Sequence, residues 1–258
     1  MTRAETLGKI LYRGFVPIIL DDELPVMDCL EQMLALGIEA VEMSCRNPQA
    51  LMLIQEAKRR FPDLAVGAAT LLEDGRMRDA VNAAGRPVPS VPQVVDAGAD
   101  FLVSLLPFRQ ATYERFGATH IIISGVTTPG EGHQALDWGA NLLKFSNPHL
   151  LGGPDFFRGI DPATYNSFPF FLTGGMKYEN IPAYVAANVL AFGAGLNMVL
   201  GPDYVPMQRF YDADTLRDRL TPYLQTLART RGQHQAGVPF ESKDPRAIAA
   251  ACGRCLNV

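Results

Sequence analysis

Positive charge is nowhere concentrated in this chain. Its 23 Lys and Arg residues stand against 27 Asp and Glu for a formal charge of -4, and no cationic block could track a phosphate backbone, so nucleic acid is not an expected partner. Cysteine is scarce, with four residues in 258, at positions 29, 45, 252 and 255. Two in the apolar N-terminal half and two in a CGRC tail do not make a secreted disulfide framework; the CGRC pair reads as free thiols and the cytoplasm as the simplest compartment. The opening MTRAETLGKILYRG lacks the apolar run of a signal peptide and reads as a short amphipathic helix. Charge is missing from residues 181–200, a stretch of bilayer length. Pro182, Asn188, Asn197 and two glycines interrupt it, and a helix followed by a buried strand explains it equally well, so no membrane span is expected. Zinc-type spacing is also missing: Glu131, His133 and Asp137 are neighbours, and His133 and Asp137 share a helix face, but they match no known ligand pattern, and no metal is expected.

What is present is a recurrence of short apolar runs. Eight occur, at residues 15–20, 40–44, 65–69, 101–104, 120–126, 142–145, 170–173 and 190–195. Apolarity on both sides suits strands of a parallel sheet covered by helices on one face and closed on itself at the other. Residues 24–36, 48–61 and 128–138 have helical spacing, with Pro48 suited to a first turn. The repeated AGAD and WGAN, at 97–100 and 138–141, put glycine where a helix ends before a strand. Together these predict a (β/α)8 TIM barrel with a short N-terminal helix, in a domain of residues 1–231. The proline-rich GRPVPSVP at 85–92 interrupts the third helix and reads as a surface insertion. A last helical region is expected from 201 to about 231, and residues 232–258, polar and broken before a brief helical stretch, read as an extended arm that packs on a neighbouring subunit or frays.

Five lysines occur, and four have unremarkable surroundings: Lys9 in the first helix, Lys58 in EAKRR, Lys177 in a turn and Lys243 in the tail. Lys144 differs because it lies in NLLKF, inside an expected strand. An ammonium in an apolar wall is costly to desolvate, and a neutral amine is a nucleophile toward ketones. Periodicity alone equally allows Lys144 to snorkel from a strand end or to pair with a carboxylate. Glu42 in AVEMS is a second ionisable residue in an apolar strand, and burying both is tolerable when they face one another. Arg46 ends the same strand near the rim where barrel active sites are built, and could clamp a carboxylate or be an ordinary surface arginine. Thr173-Gly174-Gly175 closes the seventh strand and Gly193-Ala194-Gly195 the eighth, so backbone N–H groups there could hold a phosphate; glycine at a strand end also simply makes a tight turn.

From about Thr6 to about Leu227, a series of stretches in order resembles the 2-keto-3-deoxy-6-phosphogluconate (KDPG)/4-hydroxy-2-oxoglutarate aldolase family. They are FVPIIL, AVEMSCRN with Glu42 and Arg46, VGAATL with Thr70, SGVTTPGE with Thr127, LLKF with Lys144, the pair Gly152-Gly153, and FLTGGM with Thr173. The resemblance implies a class I aldolase that cleaves 2-keto-3-deoxy-6-phosphogluconate or a similar 2-keto acid to pyruvate and an aldehyde such as glyceraldehyde 3-phosphate, as a homotrimer without metal or cofactor. It makes Lys144 the Schiff-base amine and Glu42 the general acid/base. Arg46 and Thr70 become contacts for the substrate's carboxylate end, Thr127 and Thr173 pocket residues, and Gly174, Gly175 and Gly195 the phosphate site.

The chain departs from the family pattern at several positions. Leu105 and Ser124 stand where proline usually ends the fourth and fifth strands, so the pocket edges are expected to differ there. Ser146 and Asn147 follow Phe145 where an aromatic and a proline are usual. Leu196, or Gly195 with a one-residue slip, stands where the phosphate turn has serine. An unphosphorylated substrate such as 4-hydroxy-2-oxoglutarate, or oxaloacetate decarboxylation through the same electron sink, is therefore the alternative. The insertion and the tail motivate a reading from another class, a non-catalytic sugar-acid-binding barrel, against which the intact Lys144 and Glu42 argue.

Overall fold

The computed structural model describes residues 1–20, 24–200 and 213–258. Eight strands, β1 (Phe15–Ile19), β2 (Ala40–Ser44), β3 (Ala65–Ala69), β4 (Phe101–Val103), β5 (Ile121–Gly125), β6 (Leu142–Ser146), β7 (Phe170–Thr173) and β8 (Ala191–Gly195), pair in parallel in sequence order and close on themselves. Each expected apolar run coincides with one of them, β6 reaching one residue beyond its run to Ser146. Closure follows from the register, in which β1 pairs both with β2, Ile18 opposite Glu42, and with β8, Ile18 opposite Gly195.

The helices are α1 (Arg3–Arg13), α2 (Val26–Ala35), α3 (Ala50–Arg60), α4 (Arg76–Ala83), α5 (Val91–Asp96), α6 (Gln110–Phe116), α7 (Pro129–Trp138), α8 (Pro154–Ala163), α9 (Ile181–Val185), α10 (Leu196–Leu200), α11 (Ala213–His234) and α12 (Pro245–Cys252). Pro48, expected in a first helical turn, lies before α3, which starts at Ala50. In the segment 85–92, Ser90 caps a new helix through a reciprocal bond with Gln93, so Val91 and Pro92 belong to α5 and not to a loop. The expected helical region from 201 is described only from Ala213 onward.

Strand alternation separates two cores. Phe15, Ile19, Val41, Met43, Val66, Ala68, Leu102, Ile122, Leu143, Phe145, Phe170, Leu172, Phe192 and Ala194 point outward and pack with the helices. Val16, Ala40, Ala65, Ala69, Phe101, Val103, Ile121, Ile123, Leu142, Phe171 and Ala191 point inward and pack on one another. The inner core continues through the N-terminal end of the barrel into Leu7, Ile10 and Leu11 of α1 and into Phe240 and Ile248 of the C-terminal segment. The barrel floor is thus plugged, and its C-terminal end is left for the site.

The two glycine repeats have a further use. Gly98 and Gly139 take φ of +98° and +110° to end their helices. The residues that follow, Asp100 and Asn141, each accept a hydrogen bond from the neighbouring strand: Val66 N–H to Asp100 at 2.9 Å and Ile122 N–H to Asn141 at 2.7 Å. Each satisfies a backbone donor that the ladder leaves open at the barrel floor.

Residues 232–258, expected as an arm to a neighbour or a frayed end, lie against their own barrel. Helix α11 runs through position 231 without a break. Buried Arg231 donates to the carbonyls of Leu11 and Tyr12 at 2.9 and 2.8 Å and to that of Leu190. Its guanidinium stacks 3.7 Å from the centre of the Phe240 ring, and burial lowers its pKa to about 9. Farther on, Arg254 forms an ion pair with Asp161 that both residues bury almost fully, with a second contact of 2.8 Å and a bond of 3.2 Å to the Phe168 carbonyl. Cys252 and Cys255 are free.

Removing Arg254 strands a buried carboxylate, a change that costs about 3–5 kcal/mol. Arg254→Ala is therefore expected to lower the unfolding free energy of the chain by that amount, seen as a lower midpoint in urea denaturation followed by circular dichroism; an unchanged midpoint would mean that the segment is not docked.

Candidate active site

Period two along a strand sets residues i and i+2 on the same face. The inner face of β2 carries Ala40, Glu42 and Ser44, and that of β6 carries Leu142, Lys144 and Ser146. These strands lie on opposite sides of the ring, and the long side chains meet within it: Lys144 Nζ donates to Glu42 Oε2 at 3.2 Å, with the two side chains 3% and 0% exposed. Sequence reasoning anticipated both residues, and the fold brings them together.

Neither charge has water to fall back on. Burial pushes the Glu42 carboxyl above the usual carboxylate range, against the opposing pull of the Lys144 charge and hydrogen bond. The second oxygen, Oε1, is buried with no hydrogen-bond partner among the described residues. An acceptor left open beside an amine is an atom to which a proton could be delivered. The Lys144 nitrogen also lies 5.8 Å from the centre of the Phe171 ring, in a contact favourable to a cation.

Two glycines make room at this level. Glu42 is in register with Gly67, where a Cβ would sit 2.1 Å from the Phe101 ring. Lys144 is in register with Gly125, where a Cβ would sit 2.2 Å from the Leu105 carbonyl. Backbone after β4 therefore passes directly over the strand beside the lysine. Leu105, expected at a pocket edge, makes this contact through its main chain while its side chain is 49% exposed. Ser124, expected at a second edge, is instead on the outer face of β5, where its hydroxyl accepts from Phe108 N–H at 3.3 Å.

Above the pair is a rim of hydroxyls. Ser44 Oγ is 3.2 Å from Thr70 Oγ1, and Ser146 Oγ is 3.4 Å from Thr173 Oγ1. Thr70 takes φ of +61°, a conformation that costs a β-branched residue about 1–3 kcal/mol and clusters at functional sites. Ser44 is missing from the sequence reading, and Ser146 appears there only as a departure from a pattern. The signal that would have found both is their position two residues after Glu42 and Lys144 on inward-facing strands.

Other expected residues stand farther out. Arg46 is exposed in the turn after β2, and no bond joins it to Lys144 or Glu42. Thr127 is exposed beyond β5, its backbone N–H held by Glu131 at 2.8 Å. Gly174 and Gly175 turn the chain after Thr173 with φ of +79° and +72°. Asn147, itself left-handed, lies against Gly174, and the His149 ring lies by Gly175. Gly195 ends β8, and Leu196 after it is buried.

Glu131 caps α7 through a reciprocal bond with Thr128, while His133 and Asp137 form an exposed pair at 3.4 Å. Among the described residues no group of three or more His, Cys, Asp or Glu side chains could hold a metal ion. Among the same residues no helix is long and apolar enough to cross a membrane.

The architecture defined here is a (β/α)8 barrel with an amine and a carboxyl facing each other inside it. Residues 11–202 match the family model described as KDPG and KHG aldolase, so the chain belongs to that family and is a carbon–carbon lyase of the class I aldolase type. It is similar to the 2-dehydro-3-deoxy-phosphogluconate aldolase of Treponema pallidum (strain Nichols), 29% identical over 158 residues, which are 61% of this chain and 68% of the relative. It is also similar to the KHG/KDPG aldolase of Escherichia coli (strain K12), 26% identical over 183 residues, 69% of this chain and 78% of the relative. In fold it is similar to a KDPG aldolase from Legionella pneumophila, solved with pyruvate captured at low pH as a covalent carbinolamine, with a TM-score of 0.60, 21% identity, and coverage of 85% of this chain and 94% of that one.

The raised carboxyl of Glu42 sets a sign for pH dependence. An unfolded glutamate titrates near about 4.3, so above that value the folded state holds the proton more tightly than the unfolded state does. Stability from this group is greatest below the ordinary range and falls as pH rises through the folded value. Urea midpoints between about pH 4 and 8 should decline more steeply for the wild type than for Glu42→Gln; parallel curves would mean that the carboxyl is not perturbed.

Proposed function

We propose that this chain cleaves a 2-keto-3-deoxy or 2-keto-4-hydroxy acid to pyruvate and an aldehyde through an iminium formed on Lys144. The observation that carries this is the buried contact of 3.2 Å between Lys144 Nζ and Glu42 Oε2, with Oε1 unpartnered among the described residues. Lys144 as free amine adds to the C2 ketone of the substrate, and the carbinolamine loses its hydroxyl as water, with the proton supplied by Glu42. Glu42, now a carboxylate, takes the proton of the C4 hydroxyl. The C3–C4 electrons then flow into the iminium, releasing the aldehyde and leaving an enamine on the lysine. Protonation of the enamine carbon and hydrolysis return pyruvate and the free amine. A base for this cycle works best near neutrality, and burial raises Glu42 in that direction.

In this reading Arg46 and Thr70 meet the substrate carboxylate at the rim, with Thr127 and Thr173 bounding the pocket. The names of the relatives support 2-keto-3-deoxy-6-phosphogluconate as a substrate, with Gly174, Gly175 and Gly195 about its phosphate, and equally support 4-hydroxy-2-oxoglutarate. Buried Leu196 at the last of these turns offers no hydroxyl to a phosphate and weighs against the phosphorylated acid.

Pyruvate with borohydride should leave a reduced adduct that peptide mass spectrometry locates on Lys144. Lys144→Ala should form none and lose cleavage, and Glu42→Gln should lower kcat by about 10²- to 10⁴-fold, the usual contribution of a positioned acid or base. Full cleavage activity in Lys144→Ala would end the proposal.

A further inference from the structure

At the C-terminal ends of β7 and β8, two asparagine side chains that the aldolase reading does not use lie against glycines. A Cβ on Gly195 would lie 2.5 Å from Asn197 Oδ1 and 3.1 Å from Leu20 Cδ1. Gly193, two residues earlier, faces Thr173 and Phe171 of the barrel interior, so the same alternation turns Gly195 inward. The Asn197 carboxamide thus folds back over the inner edge of β8. On the other side of β7, Asn147 donates its backbone N–H to the Thr173 carbonyl at 2.7 Å. Its carboxamide oxygen lies 2.4 Å from where a Cβ on Gly174 would be. The space beside two glycines at the strand ends is therefore already occupied by carboxamides, and the residues that precede Asn147 and Gly174, Ser146 and Thr173, bring their hydroxyls to 3.4 Å of each other.

Both carboxamides are exposed, and neither side chain is hydrogen-bonded among the described residues. Asn147 sits in the left-handed region, with φ of +49°, a conformation that asparagine tolerates better than most residues. It holds the carboxamide at the rim immediately after the strand that bears Lys144.

We propose that Asn147 and Asn197 are specificity-determining residues, forming a subsite for the substrate end remote from the keto acid that takes an uncharged, hydroxylated tail in preference to a phosphate. A carboxamide has one donor end and one acceptor end, and so does a hydroxyl, which can use both. A phosphate only accepts, so at each asparagine it would use the N–H end and bring an anion against the oxygen. Leu196, buried between the second glycine turn and Asn197, adds no donor. The inference rests on the Schiff-base reading of Lys144.

The test runs the reaction in the synthetic direction, with pyruvate and either D-glyceraldehyde or D-glyceraldehyde 3-phosphate as acceptor. Wild-type kcat/KM should favour the unphosphorylated aldehyde. Asn147→Gly, which keeps the left-handed backbone free of strain, and Asn197→Ala should each lower kcat/KM for glyceraldehyde about two- to tenfold, the effect of one neutral hydrogen bond. The loss should fall on the KM of the aldehyde and not on that of pyruvate, shifting the acceptor ratio toward the phosphate. The variants are measured separately, so a folding defect in one leaves the other to decide. A wild-type preference for the phosphorylated aldehyde, or a ratio that neither variant moves, would overturn the subsite. Borohydride trapping with pyruvate tells the two failures apart. An adduct on Lys144 together with a failed ratio removes only the subsite, while absence of the adduct removes the aldolase reading and the subsite with it.

Discussion

One contact organises this molecule: an amine and a carboxyl, 102 positions apart in the chain, held at 3.2 Å inside a closed sheet. Burying either alone would leave a charge without solvent or partner, a cost of several kcal/mol. The pair makes each tolerable to the other, and only a geometry that presents β2 and β6 to one another across a ring can form it. The surrounding arrangement serves that geometry. Gly67 and Gly125 stand in register with the two charged residues, Phe101 fills the interior on one side, and the backbone at Leu105 crosses on the other.

The barrel's two ends are built in opposite ways. At the floor, Leu7, Ile10 and Leu11 of the first helix meet Phe240 and Ile248 from the end of the chain, and Arg231 and Arg254 fasten this plug to backbone carbonyls and to Asp161. Water is excluded there by apolar packing. At the opposite end, inward positions carry Ser44, Ser146, Thr173, Gly125, Gly193 and Gly195 in place of large apolar side chains. A polar ligand entering from that side meets donors and acceptors, and below them an amine and a carboxyl kept from bulk water.

Much of this was legible along the chain. Each of the eight apolar runs coincides with a strand, because strands covered on both faces have little alternative to continuous apolarity. Lys144 and Glu42 stood out because charge in such a run is expensive unless paired. The hydroxyls were harder to see: a serine in a strand is unremarkable until the inward face is known, and Ser44 and Ser146 gain meaning only from their two-residue offset to the charged positions. Ser124, read as a pocket edge, is on the outer face by the same parity. The docking of the terminal segment on its own barrel was not legible, because its polar composition resembles a free arm. Its anchors are a few long-range bonds, from Arg231 to Leu11, from Arg254 to Asp161 and from the Asn257 carboxamide to the Ala140 carbonyl at 2.7 Å, which leave no periodic trace.

The sequence alone determined the strand and helix alternation, the floor helix, and the identity of the two ionisable residues that needed each other, since all of these follow from local periodicity and the cost of buried charge. Tertiary structure decided what faces what. It set the 3.2 Å contact of the pair, the hydroxyl rim, the carboxamides of Asn147 and Asn197 against glycine turns, and the return of the chain's end to the barrel floor. The physical reason is that parity and ring closure convert distant positions into neighbours, and no local pattern records which strand will stand across from which.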